Sequence, residues 1–193
     1  ADGRILIAKR RLGTHQGGLW EFPGGKLEPG EPVEQGLARE LDEELGIQVT
    51  AARPLIRLRH DYGDRQVLLD IHRVQRYQGE PRGREGQPLD WLLPEDMDPT
   101  LFPAADRPVI NALRLPTRYL ITGTEPSDQY AFRAQLEQVL MRTGLRIVQL
   151  RVPGLDPSAY AELAHQCVAV CRRAGAQLVL NCAPEIAAEL PGE

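Results

Sequence analysis

Three glutamates and an arginine between positions 39 and 44 have the types and spacing to bind a metal ion. Glu40, Glu43 and Glu44 are three and four residues apart, so on a helix they share one face. Like charges at this spacing repel one another and weaken an isolated helix. Carboxylate oxygens are the ligands that Mg²⁺ prefers, and Mg²⁺ often keeps water and substrate phosphates in its shell. We therefore predict a site for Mg²⁺, with Mn²⁺ as the alternative ion.

A single helix must position these acids. Pro32 is tolerated in a first helical turn, and Gly46 is a typical residue just past a helix end, so the helix is predicted between them. An apolar stripe adjoins the acids at helical spacing and can dock on a sheet. The residues of this stripe are Val33, Leu37, Leu41 and Leu45.

Extended segments surround this helix in the first 115 residues. Apolar and β-branched residues predict strands at 4–9, 19–23, 54–62, 65–77 and 90–93, and a second helix at 108–115. The Gly63-Asp64 pair is typical of a hairpin turn. A mixed sheet with the acidic helix packed on it fits this order. Because the chain opens on a turn at Ala1-Asp2-Gly3, we expect that an opening strand is missing.

The spacing around the acids resembles a known motif. Gly25 is followed after five residues by Glu31, and after seven more by the run RELDEELGI at 39–47. This pattern resembles the Nudix box in full. The resemblance implies an α/β fold, a Nudix α/β/α sandwich with a mixed sheet, over residues 1–115.

Enzymes with this box hydrolyse a nucleoside diphosphate linked to another group. Water must attack a phosphorus whose oxygens are negative, so the protein has to neutralise that charge and hold the water in line. The metal ligands that the resemblance implies are Glu40, Glu43, Glu44 and the backbone carbonyl of Gly24. It leaves Glu40 as either ligand or general base, and it implies that Arg39 orients the acids by ion pairing.

Three further stretches resemble the MutT branch of these enzymes. They are WEFPGGK at 20–26, GEP and GREGQP within 79–88, and FPAA and PVI within 102–110. Enzymes of this branch split 8-oxo-dGTP into 8-oxo-dGMP and pyrophosphate by attack at the β phosphorus. The resemblance therefore implies a nucleoside triphosphate substrate and a role in sanitising the nucleotide pool.

The same resemblance implies roles for residues far from the acidic helix. Glu85 lies in a loop that we expect to be flexible, and it is expected to be a mobile metal ligand or base, although an isolated Glu is most often a surface acid. Arg10 and Arg65 match positions that contact the nucleotide. Phe22 matches a residue that packs on the base, and the alternative for it is a plain core position.

Asp106 departs from the pattern, because this branch often has Asn there to read the damaged base. Normal guanine presents N7 and O6 as acceptors, and oxidation at C8 turns N7 into a donor. An Asn can accept from N7–H and donate to O6, whereas an ionised Asp can only accept. Burial would raise the pKa of Asp106 and allow protonation. We predict that Asp106 reads the base with altered discrimination.

Beyond Pro116 the pattern changes to alternating strands and helices. Strands are predicted at 118–122, 146–152 and 177–181, with helices at 128–143, 159–174 and from 184 to 190. Alternation at this spacing predicts a parallel sheet. A complete (β/α)₈ barrel needs about 250 residues, so residues 116–193 are predicted to form a partial barrel segment.

The three strands resemble the first third of thiamine phosphate synthase. Pro153 replaces a phosphate-binding Lys of that family, and Cys182 replaces a metal-binding Asp. Neither replacement supplies the lost charge, so synthase activity is not expected. Gln149, Arg151 and Asn181 remain as candidate phosphate ligands, with strand-end capping as the preferred alternative.

Composition excludes several classes of protein. A net charge of −4 and a pI of about 5.7 argue against a broad basic face for duplex nucleic acid. The apolar runs are too short for a membrane span, and no signal peptide is visible. Cys167 and Cys171 are one helical turn apart and are interpreted as buried apolar residues, which suits a reducing, cytoplasmic compartment. The oligomeric state stays open.

Three functions remain in competition. The first is hydrolysis of 8-oxo-dGTP, and the second is the same chemistry on another diphosphate, such as a thiamine-related pyrophosphate. The third is a non-catalytic regulatory module. An intact box with three mutually repelling acids argues against the third, and the MutT-like residues outside the box favour the first.

Overall fold

The structure is a computed structural model, and it describes residues 3–14, 16–63, 66–123 and 128–188. The chain divides into two compact units, Ala1–Leu115 and Pro116–Glu193. Within the described ranges, no helix combines the length and apolarity that crossing a membrane requires.

The described residues of the first unit form five strands and two α-helices. In chain order they are β1 (Ile5–Lys9), β2 (Trp20–Glu21), α1 (Val33–Leu45), β3 (Gln48–Asp61), β4 (Gln66–Gln78), β5 (Leu89–Leu92) and α2 (Arg107–Arg114). Three short 3₁₀ turns precede α2. The main difference from the prediction is the start of β3, six residues earlier than expected. Asp64 of the predicted hairpin turn lies outside the described residues.

Two antiparallel sheets replace the predicted mixed sheet. β1 lies between β2 and β5 and is antiparallel to both, while β3 pairs only with β4 among the described strands. β3 and β4 follow one another directly along the chain, so they pair as a long hairpin. A parallel pair needs a crossover connection, and the described part of this unit has no strand pair joined in that way. The prediction of mixed α and β structure is confirmed.

Helix α1 begins and ends where the sequence predicted. It starts after Pro32 and stops at Gly46, whose φ of 73° is in the left-handed region that favours glycine. Leu41 and Leu45 are buried with Ile47, and Leu37 packs against them. Partly buried residues of β1, β3, β4 and β5 complete this cluster, so the apolar stripe docks on both sheets. Val33 lies apart from it and lines a separate cavity with β3 and β4.

A second cluster packs around Phe102, which is 2% exposed. Ile7 of β1 and Ile110 of α2 are fully buried there together with Met97. Phe22 packs against this cluster from the segment that follows β2. The cluster thereby fixes the strands that lead into the acidic helix.

The second unit alternates strands and helices as predicted. Its elements are β6 (Leu120–Ile121), α3 (Gln129–Thr143), β7 (Ile147–Leu150), α4 (Pro157–Arg173), β8 (Gln177–Leu180) and α5 (Pro184–Ala188). The strands form a parallel sheet in the order β6-β7-β8, which is open in the described residues. The predicted barrel segment is therefore not confirmed, because three adjacent strands in sequence order need no closure.

Buried thiols lie in the core of this unit. Cys167 and Cys171 of α4 are 0% and 1% exposed, which confirms their interpretation as buried apolar residues. Burial raises the pKa of the Cys167 thiol to about 12 and that of Cys171 to about 11. Both thiols are therefore protonated at neutral pH and poor nucleophiles.

Candidate active site

Arg39 organises the first half of the site. Its Nε and Nη2 atoms each donate to one carboxylate oxygen of Glu31 at 3.0 Å, and its Nη1 donates to Glu40 Oε1 at 2.9 Å. Nη2 also donates to the carbonyl of Lys26 at 3.0 Å. The bond from Arg39 lowers the pKa of Glu31, and the two carboxylates raise the pKa of Arg39. Arg39 thus fixes Glu40 relative to the turn before α1.

Gly25 leaves the space that Glu40 occupies. A Cβ atom at Gly25 would overlap the Glu40 carboxylate, so a side chain there would expel it from this position. The Glu40 side chain is 17% exposed, whereas that of Glu43 is 62% exposed and lies 3.5 Å from Arg39 Nη1. The two acids on one helix face therefore differ sharply in their contact with solvent.

Glu44 has a raised pKa, mainly because it is partly buried. Its Oε2 accepts a hydrogen bond from the backbone N–H of Gly24 at 3.1 Å. Burial raises the pKa of Glu44 to about 7, and the charges of Glu21, Glu40 and Glu85 add to this rise while the bond from Gly24 opposes it. Gly24 has a φ of 143°, a conformation that favours glycine, and it brings its backbone against Glu44.

A cavity of about 150 Å³ joins Glu44 to Glu85. Glu21 lines the cavity with them, and positive charge comes from residues at the end of β1 and just after it. These basic residues are Lys9, Arg10 and Arg11. Glu85 and Glu44 of the acidic helix therefore line the same cavity, and its wall has charges of both signs.

The loop that carries Glu85 is hydrogen-bonded to the end of α1 and to Arg11. The N–H groups of Arg82 and Arg84 donate to the carbonyls of Leu45 and Glu44, both at 2.9 Å. The last carbonyls of a helix have no partner within it, so residues 79–88 serve as the cap of α1. Arg11 Nη2 also donates to the carbonyl of Glu85. These bonds hold the loop against the helix.

The residues predicted to contact the base have the following surroundings. Arg10 pairs with Glu21, and their charges act on Asp106 in opposite directions. Burial raises the pKa of Asp106 to about 6, and the Glu21 charge adds to this rise. Phe22 stacks on Phe102 with ring centroids 5.6 Å apart and packs against the buried cluster around it, as in the core alternative that the sequence left open. Arg65 lies outside the described residues.

Glu21 is a site residue that the sequence analysis missed. It lies in the two-residue strand β2, lines the cavity, and raises the pKa of both Glu44 and Asp106. An acid between two aromatic residues, Trp20 and Phe22, was the signal available in the sequence.

The donor set fits a divalent cation in its chemistry. Hard cations bind carboxylate and carbonyl oxygens, and a bound cation would offset both the burial and the smaller like-charge repulsion that raise the pKa of Glu44. Among the described residues, no three His, Cys, Asp or Glu side chains are grouped closely enough to hold an ion. Two of the acids have hydrogen-bond partners in this structure, Glu40 with Arg39 and Glu44 with the Gly24 amide.

In the second unit, side chains tie together the carboxyl ends of the strands. The Thr122 hydroxyl donates to the Arg151 carbonyl at 3.0 Å and accepts from the Arg151 N–H at 2.9 Å. The Tyr160 hydroxyl donates to the Leu150 carbonyl at 2.8 Å and accepts from the Asn181 N–H at 3.1 Å. These bonds link β6 to β7 and β7 to β8.

Comparison with known proteins identifies the family. The model of the NUDIX domain matches residues 1–112, and the model of thiamine monophosphate synthase matches residues 118–192. The chain belongs to the Nudix family and is a hydrolase acting on phosphoric anhydride bonds. Both resemblances stated from the sequence are thereby confirmed.

Two curated relatives and one solved structure show which members of the family the chain is similar to. The 8-oxo-dGTP diphosphatase of Escherichia coli K12 is 39% identical over 113 residues, which are 58% of this chain and 88% of that protein. The CTP pyrophosphohydrolase of the same organism is 39% identical over 111 residues, 58% of this chain and 82% of that protein. The crystal structure of a MutT NUDIX hydrolase from Burkholderia pseudomallei superposes with a TM-score of 0.52 at 32% identity, covering 58% of this chain and 89% of that one.

Proposed function

We propose that the first unit is a Mg²⁺- or Mn²⁺-dependent nucleoside triphosphate pyrophosphohydrolase whose main substrate is 8-oxo-dGTP. The observation that carries the proposal is the cavity in which Glu44 and Glu85 meet three basic residues. The similarity to an 8-oxo-dGTP diphosphatase supports this choice of substrate. The products are 8-oxo-dGMP and pyrophosphate, so the enzyme would remove a mutagenic precursor before DNA replication uses it.

The acidic and the basic residues of the site have different roles in the proposed reaction. Glu40, Glu43, Glu44, Glu85 and the Gly24 carbonyl would hold the ion, which when bound neutralises phosphate charge and acidifies water. Glu40 Oε1 is bonded to Arg39, so Oε2 is the atom that would take a proton from the attacking water. Water attacks the β phosphorus, the bond to the bridging oxygen breaks, and the nucleoside monophosphate leaves with that oxygen. Lys9, Arg10 and Arg11 supply positive charge for the phosphates.

Asp106, with Arg10, Phe22 and Arg65, forms the proposed base pocket. An ionised carboxylate at 106 would accept from N7–H of the oxidised base, whereas normal guanine presents two acceptors to it. A carboxylate also suits an exocyclic amino group, such as that of cytosine. Similarity to a CTP pyrophosphohydrolase therefore supports a second candidate, a pyrimidine nucleoside triphosphate. A thiamine-related pyrophosphate remains the candidate suggested by the second unit.

A nucleotide panel tests the substrate. We expect 8-oxo-dGTP to give a kcat/KM at least about tenfold above those of dGTP, CTP and thiamine diphosphate, since one well-placed hydrogen bond to a charged group contributes about 1.5 to 3 kcal/mol. Release of pyrophosphate and of phosphate should be scored separately, with Mg²⁺ and with EDTA. A higher kcat/KM for CTP or thiamine diphosphate would reassign the substrate. Turnover that survives EDTA would contradict the metal dependence.

Asp106→Asn tests how the base is read. We expect the wild-type ratio of kcat/KM for 8-oxo-dGTP over dGTP to rise by about tenfold between pH 5 and pH 7.5, because Asp106 ionises with a pKa of about 6 and its charge then repels the two acceptors of guanine. Asn carries no charge, so the ratio in the variant should not change with pH. Taking a ratio cancels every pH effect that the two substrates share. If the ratio of kcat/KM for 8-oxo-dGTP over dGTP is the same in wild type and in Asp106→Asn at all pH values, Asp106 does not recognise the base.

For the second unit we propose a barrel segment that has lost synthase chemistry. Pro153 and Cys182 stand where a Lys and an Asp would bind phosphate and metal, and the thiol is a soft ligand. Gln149, Arg151 and Asn181 are therefore assigned to strand-end packing, in keeping with the bonds that the Arg151 N–H gives to the Thr122 hydroxyl and the Asn181 N–H gives to the Leu150 carbonyl of β7. The free thiols among the described residues suit a reducing, cytoplasmic setting.

A further inference from the structure

Residues 79–88 cap the helix that carries the acids through several hydrogen bonds. In addition to the two bonds from the Arg82 and Arg84 amides, the Arg84 guanidinium donates from Nη1 to the Asp42 carbonyl at 2.8 Å. A cation at a helix C-terminus also interacts favourably with the helix dipole. These bonds to backbone carbonyls therefore fix the position of the loop relative to the last turn of α1.

The side chain of Gln87 bonds both to helix α1 and to the segment of the loop that carries Glu85. Its Nε2 donates to the backbone carbonyl of Glu44 at 3.2 Å, and its Oε1 accepts from the backbone N–H of Glu85 at 2.9 Å. Gln87 also lines the cavity that contains both carboxylates. A single amide thus bonds the main chains of the two acids that are 41 positions apart in the sequence.

The loop is folded tightly enough to fix this amide. A Cβ atom at Gly83 would overlap the Gln87 carbonyl and lie 3.0 Å from Gln87 Oε1. The Glu44 carbonyl accepts bonds from both the Arg84 amide and Gln87 Nε2, and of these two donors the Gln87 side chain is the one that also accepts from the Glu85 N–H. A carbonyl oxygen has two lone pairs, so both donors can be satisfied at once.

We propose that Gln87 is a positioning residue that sets the distance between Glu85 and Glu44. The inference rests on the proposed function, in which both acids hold the divalent ion. A cation site requires its ligands to be held close to their productive geometry, and residues that orient ligands typically change affinity by about 10- to 100-fold when replaced. The Arg84 amide bonds only to the peptide group of Glu44 and Arg11 only to that of Glu85, whereas the Gln87 side chain bonds to the peptide groups of both acids.

Gln87→Met tests the proposal, because Met has a similar length and makes neither hydrogen bond. We expect Mn²⁺, titrated calorimetrically without nucleotide, to bind about tenfold more weakly. We also expect kcat for 8-oxo-dGTP to fall by about tenfold at saturating Mg²⁺ while KM changes less than about twofold. Gln78→Met is the matched control, since Gln78 is an exposed residue of the same unit, and it should match wild type in both measurements.

Gln87→Glu separates the two bonds. Its carboxylate still accepts from the Glu85 N–H but cannot donate to the Glu44 carbonyl, so Mn²⁺ affinity should fall between those of wild type and Gln87→Met. This variant also keeps the polar character of the loop should Gln87→Met fail to fold. An affinity equal to that of wild type in a folded Gln87→Glu protein would overturn the role of the bond to Glu44.

A double-mutant cycle with Glu85→Gln identifies what Gln87 acts on. If Gln87 works through Glu85, the double variant should bind Mn²⁺ no more weakly than Glu85→Gln alone. Two results would overturn the proposal and leave the proposed function standing. One is that the losses of Mn²⁺ affinity in the two single variants add in the double variant. The other is that Glu85→Gln binds Mn²⁺ more weakly than wild type while Gln87→Met binds it equally well. Unchanged affinity in both Glu85→Gln and Glu40→Gln would instead refute the metal site of the proposed function.

Discussion

Glu40→Gln should lower kcat for 8-oxo-dGTP by about 10²- to 10⁴-fold, the range expected for loss of a general base or a charged metal ligand. Gln has the size of Glu, so it still fits the space that Gly25 leaves. Its side-chain oxygen can still accept from Arg39 Nη1, where Glu40 Oε1 now lies at 2.9 Å. The variant therefore removes a charge and a proton acceptor while preserving the shape of the site.

The measurement is single-turnover hydrolysis at saturating Mg²⁺, with the fold checked by thermal unfolding. Glu34→Gln is the matched control, because Glu34 is an exposed acid in the first turn of the same helix. It should retain wild-type kcat. A Glu40→Gln variant that turns over within about threefold of wild type would show that the acidic face of α1 is not the catalytic one.

Local sequence determined α1 completely, which is why the position of Glu40 was predictable. Pro32 and Gly46 mark its ends through backbone conformation alone, and Leu41 and Leu45 recur at the helical period. The relative positions of Glu40 and Glu44 follow from those bounds. Their environment does not follow, because Arg39 and the Gly24 amide make contacts that helical spacing does not specify.

Long-range contacts account for what the sequence did not predict. The loop at 79–88 looked flexible because its Gly, Pro and charged residues have no periodicity, yet it binds carbonyl groups of α1 some 40 positions earlier. Only a resemblance to a family could associate Glu85 with the acidic helix. The absence of a parallel neighbour for β1 among the described strands is likewise a property of pairing between distant segments.

Glu44 is a site residue whose ionised form lowers the stability of the folded protein. Its pKa is raised from 4.5 to about 7, mainly by burial, so the folded protein binds a proton there more tightly than the unfolded chain does. The favourable contribution of Glu44 is therefore fully present below about pH 4.5 and is lost as the pH rises through about 7. At higher pH a buried carboxylate remains charged next to Glu40 and Glu85, and a bound cation would relieve that repulsion.

Glu44→Gln should accordingly stabilise the metal-free first unit at pH 8 while impairing catalysis. A pKa rise from 4.5 to about 7 corresponds to roughly 3 kcal/mol. Since solvent reaches part of the side chain, we expect about 1 to 2 kcal/mol, or a Tm gain of about 4 to 8 °C. Gln still accepts the hydrogen bond that the Gly24 amide now gives to Glu44. The gain over wild type should be near zero at pH 4 and should grow up to about pH 7.

Thermal unfolding in EDTA, followed by tryptophan fluorescence, measures this effect in the first unit alone, because the two tryptophans, Trp20 and Trp91, both lie there. Glu43→Gln is the control, because the Glu43 side chain is 62% exposed and its replacement should change stability by less than about 0.5 kcal/mol. Added Mn²⁺ should reverse the order by stabilising wild type more than Glu44→Gln. A variant less stable than wild type at pH 8 in EDTA would mean that Glu44 is compensated in the folded protein, and the charge repulsion that favours a cation here would be absent.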